Sequence, residues 1–424
     1  MGLRFIRLGS IIIPDTKLQS SVNLYWKFEE DLKDTKEVLS MNISIKNFIK
    51  SVLVLLVAVC IVFISACNNV QESNVEETAA VSTTAIVNTA APIITTETPA
   101  TSTLEPTIPE PTPDMSLYAV NPLTGMKNMS KDNVGKRPLA IMINNVKQAT
   151  PQSGITACDI YYELPAEGQV PRIMGVFSDL ADIPAEIGPI RSTRDYYVAL
   201  AIGYNAVLVN FGTSTSADSL LKNYSWNNLD GMFLSNMYWR DAVRRTKNGY
   251  EHSVMMSGEK ISQTIKQKKW NLDTGINGGA AFSFYDENNH MIDGTTDCTK
   301  AIAKYNGTYS AEFNYDANTK LYGKSQLGAP HVDSQGNQIK VTNVIILYTK
   351  ITTLPDKAGH LSIDLSSGSG YYISGGKSKE IKWSKGDVTN PIKYMNTDGT
   401  DLKVNAGKTY ICIVSGTKMI TMTP

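Results

Sequence analysis

The sequence predicts an α+β protein, with an α/β N-terminal domain followed by a mostly β C-terminal domain. Between residues 137 and 267, short apolar runs of strand type alternate with segments at helical spacing, the pattern of an α/β layer. Beyond Gly275, Gly278 and Gly279 the pattern changes to short strands separated by turn residues. Ahead of residue 115 the composition is not that of a folded domain. A chain of 424 residues has room for two or three domains.

In the first domain, 115–280, strands are expected at 137–144 (RPLAIMIN), 160–163 (IYYE) and 172–177 (RIMGVF). Residues 193–202 have helical spacing, with Ser192 placed to cap them. The apolar run 205–211 reads as a buried strand, followed by a Ser/Thr loop and a second helix at 217–222. Ser257 is placed to cap a helix running to about Gln267. In the second domain, 281–424, strands are expected at 281–285, 309–315, 338–348, 361–364, 379–385 and 409–415. Tyr and β-branched side chains there suit half-buried pleated surfaces. Turn residues separate them, as at 334–337 and 397–399.

The charge balance is even, 40 Lys+Arg against 40 Asp+Glu, and no basic block occurs. That argues against a nucleic-acid binder held by phosphate neutralisation. Five cysteines, at 60, 67, 158, 298 and 412, are too scattered for a disulfide scaffold or a zinc ribbon.

The chain's address lies in its first part. Residues 52–64 (VLVLLVAVCIVFI) form a thirteen-residue run without a polar side chain. A spanning helix needs roughly 20 apolar residues, so this length fits the core of a secretory signal. Lys46 and Lys50 supply the positive flank, and Ile64-Ser65-Ala66-Cys67 resembles the bacterial lipobox. In that type of signal, cleavage precedes the Cys, whose sulfur carries a diacylglycerol; small residues fit the peptidase and only a thiol forms the thioether. The signal is therefore placed at 41–66, opening at Met41, with Cys67 as the lipidation site. Residues 1–40 are then expected to be a mis-assigned upstream extension, with a genuine cytoplasmic segment as the alternative. Residues 68–114 are rich in Thr, Pro and Glu, with seven acidic residues and no Lys or Arg. Such a segment has little to bury and is expected to be a disordered tether. Its r.m.s. span is roughly 40 Å.

Several segments of the folded part look like the YerB-like lipoprotein family, whose two domains are of unknown function. They include Arg137-Pro138-Leu139-Ala140-Ile141-Met142-Ile143-Asn144-Asn145, Pro151-Gln152-Ser153-Gly154, Asp159-Ile160-Tyr161-Tyr162-Glu163 and Glu167-Gly168. The most specific block is Ile187-Gly188-Pro189-Ile190-Arg191-Ser192-Thr193-Arg194; His252, Ser257-Gly258-Glu259-Lys260, Pro330-His331-Val332-Asp333 and Asn405-Ala406-Gly407-Lys408-Thr409 complete the set. The resemblance covers essentially all of 118–424. It departs at Gln169-Val170-Pro171, where a more glycine-like turn is expected. The resemblance implies a lipid-anchored envelope protein with an α/β N-terminal domain and no established reaction.

The densest ionisable set is Glu163, Glu167, Arg172, Arg191, Arg194, Asp195, Arg240 and His252. Arg172, Arg191, Arg194 and Arg240 are candidates for an anion clamp, because guanidinium forks match carboxylate and phosphate. The start of the helix after Arg191 adds backbone N–H donors. Glu163 and Glu167 are candidates for an acid/base pair if their carboxyls lie about 5–10 Å apart, with His252 as proton shuttle. Against both stands mutual ion pairing that merely fixes loops to the sheet. Residues 370–378 miss a P-loop, having Gly376 where Lys is required, and suit a strand better. His331 with Asp333 lacks the spacing of a metal site, no GxSxG elbow occurs, and no metal or cofactor is expected. Cys158, Cys298 and Cys412 are read as buried packing, able to form one pair at most.

The leading expectation is a lipoprotein on the extracytoplasmic face of the cell membrane, held by diacylglycerol on Cys67. Its Arg/Glu-rich site would bind an anionic wall polymer or peptidoglycan. The alternatives are an envelope hydrolase using Glu163 or Glu167 with His252, and an adaptor offering a β-domain edge strand to an envelope protein partner.

Overall fold

The computed structural model describes residues 114–234, 236–273, 282–285 and 296–424, with the backbone of 5–8 and 11–14. The expected signal, Cys67, the tether and the glycine boundary at 275–279 lie outside the described residues. The chain divides into two units, Met1–Glu105 and Pro106–Pro424. In the first, Phe5–Leu8 pairs antiparallel with Ile11–Pro14. The second contains two larger sheets.

Apolar runs build the main sheet. Leu139–Ile143 (β1), Ile160–Pro165 (β2) and Pro171–Phe177 (β3) are buried at every position. Such two-faced burial is the mark of a strand covered on both sides. Asp195–Gly203 (α1) follows; all of it except Asp195 and Ala199 is buried. Then come Val207–Asn210 (β4), Thr215–Asn223 (α2) and Asn228–Asp230 (β5). Two further helices are Ala242–Lys247 (α3) and Gly258–Lys268 (α4). The C-terminal part adds Asn343–Tyr348 (β6), Ser367–Ser374 (β7), Lys377–Ser384 (β8), Lys393–Asn396 (β9) and Thr409–Val414 (β10).

These strands share one sheet, in the order β8-β7-β6-β10-β2-β3-β1-β4-β5, with Thr296–Asp297 outside β8 and β9 also on β8. The pairings β6/β10, β10/β2, β1/β4 and β4/β5 are parallel. Because β3 is antiparallel to both β1 and β2, β6, β10, β2, β1, β4 and β5 all run in one direction. Their carboxyl ends therefore gather at one edge. One sheet thus unites strands from both sides of the expected boundary.

Side chains alternate between two cores. Ile141, Tyr161, Ile173, Val209 and Tyr410 face α4 and the second sheet, where Ile261, Phe313 and Tyr322 pack. Met142, Tyr162, Leu164, Met174 and Ile411 face α1 and α2. The second sheet is a meander of Lys300–Lys304, Ser310–Asp316 and Leu321–Gln326, with Ile420–Thr423 on its far side. The described residues are strand-rich with few helices and mixed sheets, the coarse form of an α+β arrangement.

Local details refine the expectations. The helix expected at 193–202 starts at Asp195, with Arg194 at the cap position and no side-chain cap bond. Ser192 does not cap it; its carbonyl instead accepts from Arg172 Nη1 at 2.7 Å. Ser257 does cap α4, accepting from the Lys260 amide. The expected strand 338–348 is divided into Lys340–Val341 and Asn343–Tyr348, which join different sheets. Residues 370–378 form the end of β7, a tight turn and the start of β8. Gly375 and Gly376 both take positive φ there (58° and 76°), as a two-residue hairpin of this hand requires. The turn before β3 has glycine-like backbone at Gln169 as well as Gly168, with φ of 58° and 66°. No described helix is long and apolar enough to cross a membrane.

Candidate functional site

The segment 188–194 lies across the carboxyl edge of the main sheet. Pro189 O accepts from the Asn144 amide, the Arg191 amide donates to Met142 O, and the Thr193 amide donates to Gly212 O. These bonds set Arg191 and Arg194 beside the ends of β1 and β4, just ahead of α1. Arg172 joins them from β3. It stands opposite Leu164 in register, and so on the α1 side of the sheet.

Two guanidinia share one carboxylate. Arg172 Nη2 donates to Glu167 Oε2 at 2.7 Å, and Arg194 grips both Glu167 oxygens at 2.5 and 2.8 Å. Burial pushes the Glu167 carboxyl up, but the Arg194 hydrogen bond and both Arg charges outweigh it and hold the group below its ordinary value. Burial, and then the adjacent Arg194 charge, brings Arg172 down to about 10. Arg191 is more open: its Nη2 meets Glu251 Oε2 at 2.7 Å, with Glu251 mostly exposed. His252 Nδ1 lies 3.0 Å from Asn144 Nδ2; burial and the Arg191 charge lower its pKa while Glu251 opposes. His360 approaches Glu167 at 3.8 Å and is held by Asp356 at 2.9 Å. Arg240 stacks on Tyr250 at 3.5 Å and over Phe211 at 5.2 Å. The edge is therefore rich in Arg, three of them around Glu167 and Glu251, at the end of a sheet where ligands of open α/β folds bind.

Glu163 lies elsewhere. It follows Tyr161 on the opposite face of β2 from Leu164, whereas Glu167 contacts Arg172 on the α1 side. The expected acid/base pair of Glu163 and Glu167 is therefore corrected: the sheet separates the two carboxyls. Glu163 is fully buried. Asn145 Nδ2 donates to its Oε1 at 3.0 Å and the Tyr410 hydroxyl to its Oε2 at 2.5 Å, while Lys324 Nζ stands 3.5 Å away. Lys324 also donates to Gln326 Oε1 at 3.0 Å and to His331 Nδ1 at 2.9 Å. His331 Nε2 meets Gln152 Oε1 at 2.8 Å, and Gln152 Nε2 returns to Asn145 Oδ1 at 3.3 Å. Glu163, Asn145, Gln152, His331 and Lys324 thus close a ring. The network assigns the proton to Nε2, since Gln152 Oε1 only accepts and Nδ1 receives from Lys324. Burial, then the Lys324 charge, holds His331 well below 6.5.

This ring explains the Pro330-His331-Val332-Asp333 motif. Asp333 Oδ2 accepts from Thr156 Oγ1 at 2.6 Å and the Ser334 amide donates to Gln152 O. The motif buttons the second sheet's loop onto the N-terminal part. Lys324 and Glu251 were missed from the sequence, and Asn145 was visible only as part of the motif 137–145 without a role. Lys324 shares the inward side of an alternating strand with Tyr322 and Gln326, the one available signal, but a Lys there reads as exposed.

Among the described residues, no group of three His, Cys, Asp or Glu converges as a metal set. Cys158, Cys298 and Cys412 are free and buried, and burial raises the Cys158 and Cys412 thiols. Cavities of about 470 and 610 Å³ open away from the Arg residues, one beside Lys385 and Tyr394, the other beside Tyr371 and Asn396. Lys385 is taken up by the carbonyls of Asp387, Val388 and Asn390.

Two family models match the chain: the N-terminal domain of the protein of unknown function DUF3048 at residues 123–271, and its C-terminal domain at 301–411. The chain is 30% identical over 316 residues to "Putative lipoprotein YerB" of Bacillus subtilis (strain 168), covering 71% of this chain and 88% of that protein. The chain belongs to the YerB-like family. The crystal structure of YerB from Bacillus subtilis superposes with a TM-score of 0.62 at 27% identity, over 72% of this chain and 99% of that one. The described fold includes nearly all of the matched residues.

Proposed function

We propose that this protein is a lipoprotein anchored through Cys67 on the extracytoplasmic face of the membrane, whose Arg-rich sheet edge holds an anionic component of the cell envelope. The lipobox-like residues 64–67 and a relative named as a lipoprotein support the anchor. The observation that carries the binding reading is the sharing of Glu167 by Arg172 and Arg194. Both guanidinia converge on this one carboxylate, with the Asp195 carboxyl in the first turn of α1 beside them. Arg191 stands beside them in a solvent-facing ion pair that an incoming anion can replace.

Arg191→Gln is the discriminating substitution. Its bridge to Glu251 is exposed enough that stability should change by less than about 1 kcal/mol. A charge-assisted bond to ligand is worth more, so binding of soluble poly(glycerol phosphate) should weaken about tenfold or more. Calorimetric titration at fixed salt reads this directly. Unchanged affinity in Arg191→Gln would remove the site from the reading.

A further inference from the structure

Beside the Arg-rich edge lies a surface of unusual composition. Phe233 is 86% exposed, Met232 61%, Val243 60% and Tyr250 59%. Met232 and Tyr250 are linked through Phe211, while Phe233 follows Met232 in the chain and Val243 stands on α3. A Cβ on Gly212 would meet Met232 at 3.7 Å, and one on Gly231 would meet Phe211 at 2.4 Å. Arg240 lies over both Phe211 and Tyr250, and Arg245 over Tyr250 at 5.5 Å. Helix α3, which carries Val243 and Arg245, has no buried residue. Segment 240–252 contains Arg240, Arg244, Arg245 and Lys247 against Asp241 and Glu251. The Arg site adjoins it directly: the Phe211 amide donates to Arg191 O, and Glu251 follows Tyr250.

We propose that this surface docks on an anionic phospholipid bilayer, and that the anion held at Arg191 is a lipid phosphate. The inference rests on the anion-binding reading above and names its ligand. Charge complementarity selects the occupant's sign on segment 240–252, where Arg240, Arg245 and Lys247 stand against Asp241 and Glu251 while Arg244 is held by the Ala149 and Pro151 carbonyls; Met232 and Phe233 lie beside Asp230 and Asp218 and contribute apolar contact only. The apolar side chains select its kind. A hydrophilic wall polymer satisfies the Arg residues but gives Phe233, Met232 and Val243 nothing to enter, whereas a headgroup layer takes up apolar side chains and phosphates together. Residues 68–114, read from their composition as a tether of roughly 40 Å, would keep the surface within reach of the bilayer that holds the proposed anchor.

The unit Pro106–Pro424 is compact by itself, and the crystallised relative matches nearly all of its own length to this chain. It can therefore be tested without the anchor. Co-sedimentation with phosphatidylcholine vesicles, with and without about 30% phosphatidylglycerol, reads binding in the charge regime where basic residues act. Binding is expected only with phosphatidylglycerol. Replacing both Arg245 and Lys247 by Gln should weaken it about fivefold per charge. Met232→Ser with Phe233→Ser should also weaken it, and the effect should persist at high salt, since apolar insertion is not screened. Binding that ignores the Phe233 change is plain electrostatic adsorption and overturns the inference. If vesicles do not bind but poly(glycerol phosphate) does, dependent on Arg191, the lipid assignment fails and the anion site stands. If neither binds, both fail.

Discussion

Glu163→Ala is expected to cost about 3–5 kcal/mol of folding stability, the range found when one partner of a buried ion pair is removed. Lys324 is fully buried and has three acceptors around its ammonium: Glu163, Gln326 and His331. Taking away the carboxylate leaves a positive charge in an apolar interior with only neutral acceptors. Asn145 and the Tyr410 hydroxyl lose their partner as well. Urea unfolding followed by fluorescence gives the midpoint shift. A paired change, Glu163→Gln with Lys324→Met, should recover much of the loss, because removing both charges also removes the cost of burying them. A Glu163→Gln protein of unchanged stability that had lost turnover on wall material would instead make Glu163 a catalyst, contrary to the position of its side chain.

The second large effect is acid sensitivity through His331. An unfolded imidazole takes a proton below about 6.5, whereas the buried native ring stays neutral far below that. The unfolded state then holds more protons, so stability falls as pH falls. The groups facing the ring are Lys324, whose charge opposes a second cation, and the neutral Gln152 and Gln326. The loss should begin as pH drops through about 6.5. It should continue at about 1.4 kcal/mol per pH unit until the lowered native pKa is reached. His331→Gln, unable to take the proton, should start less stable at neutral pH and show a shallower acid slope. Identical slopes for the two proteins would exclude this origin.

The local elements were readable where their causes are local. Ser257 announces α4 because a hydroxyl one residue ahead of a helix satisfies a free amide. The apolar run around β4 announces a covered strand. The Arg and Glu residues of the sheet edge were visible as a set, but their pairing was not: Glu167 meets Arg194 across 27 positions and Arg191 meets Glu251 across 60. The separation of Glu163 from Glu167 depends on the face of β2 that Glu163 uses and on the irregular turn beyond the strand that carries Glu167. The ring is least legible of all. Gln152 and His331 are 179 positions apart, and nothing local in either segment calls for the other.

The place of β10 in the sheet bears on how the protein is made. This strand lies near the end of the chain, yet it fills the gap between β6 and β2, pairing with a strand about 250 residues earlier. The edge of β2 that receives it must therefore stay open while most of the chain is synthesised. The late pairing is among the most distant in the molecule, so closure pays its loop entropy last and is expected to be slow. Until Thr409–Val414 arrives, the half-built sheet presents an unpaired edge of a strand that is buried at every position in the finished fold, a surface prone to joining the wrong neighbour. Shortening the chain from its C-terminus by as few as the residues from Thr409 onward should remove the centre of the sheet rather than trim its margin.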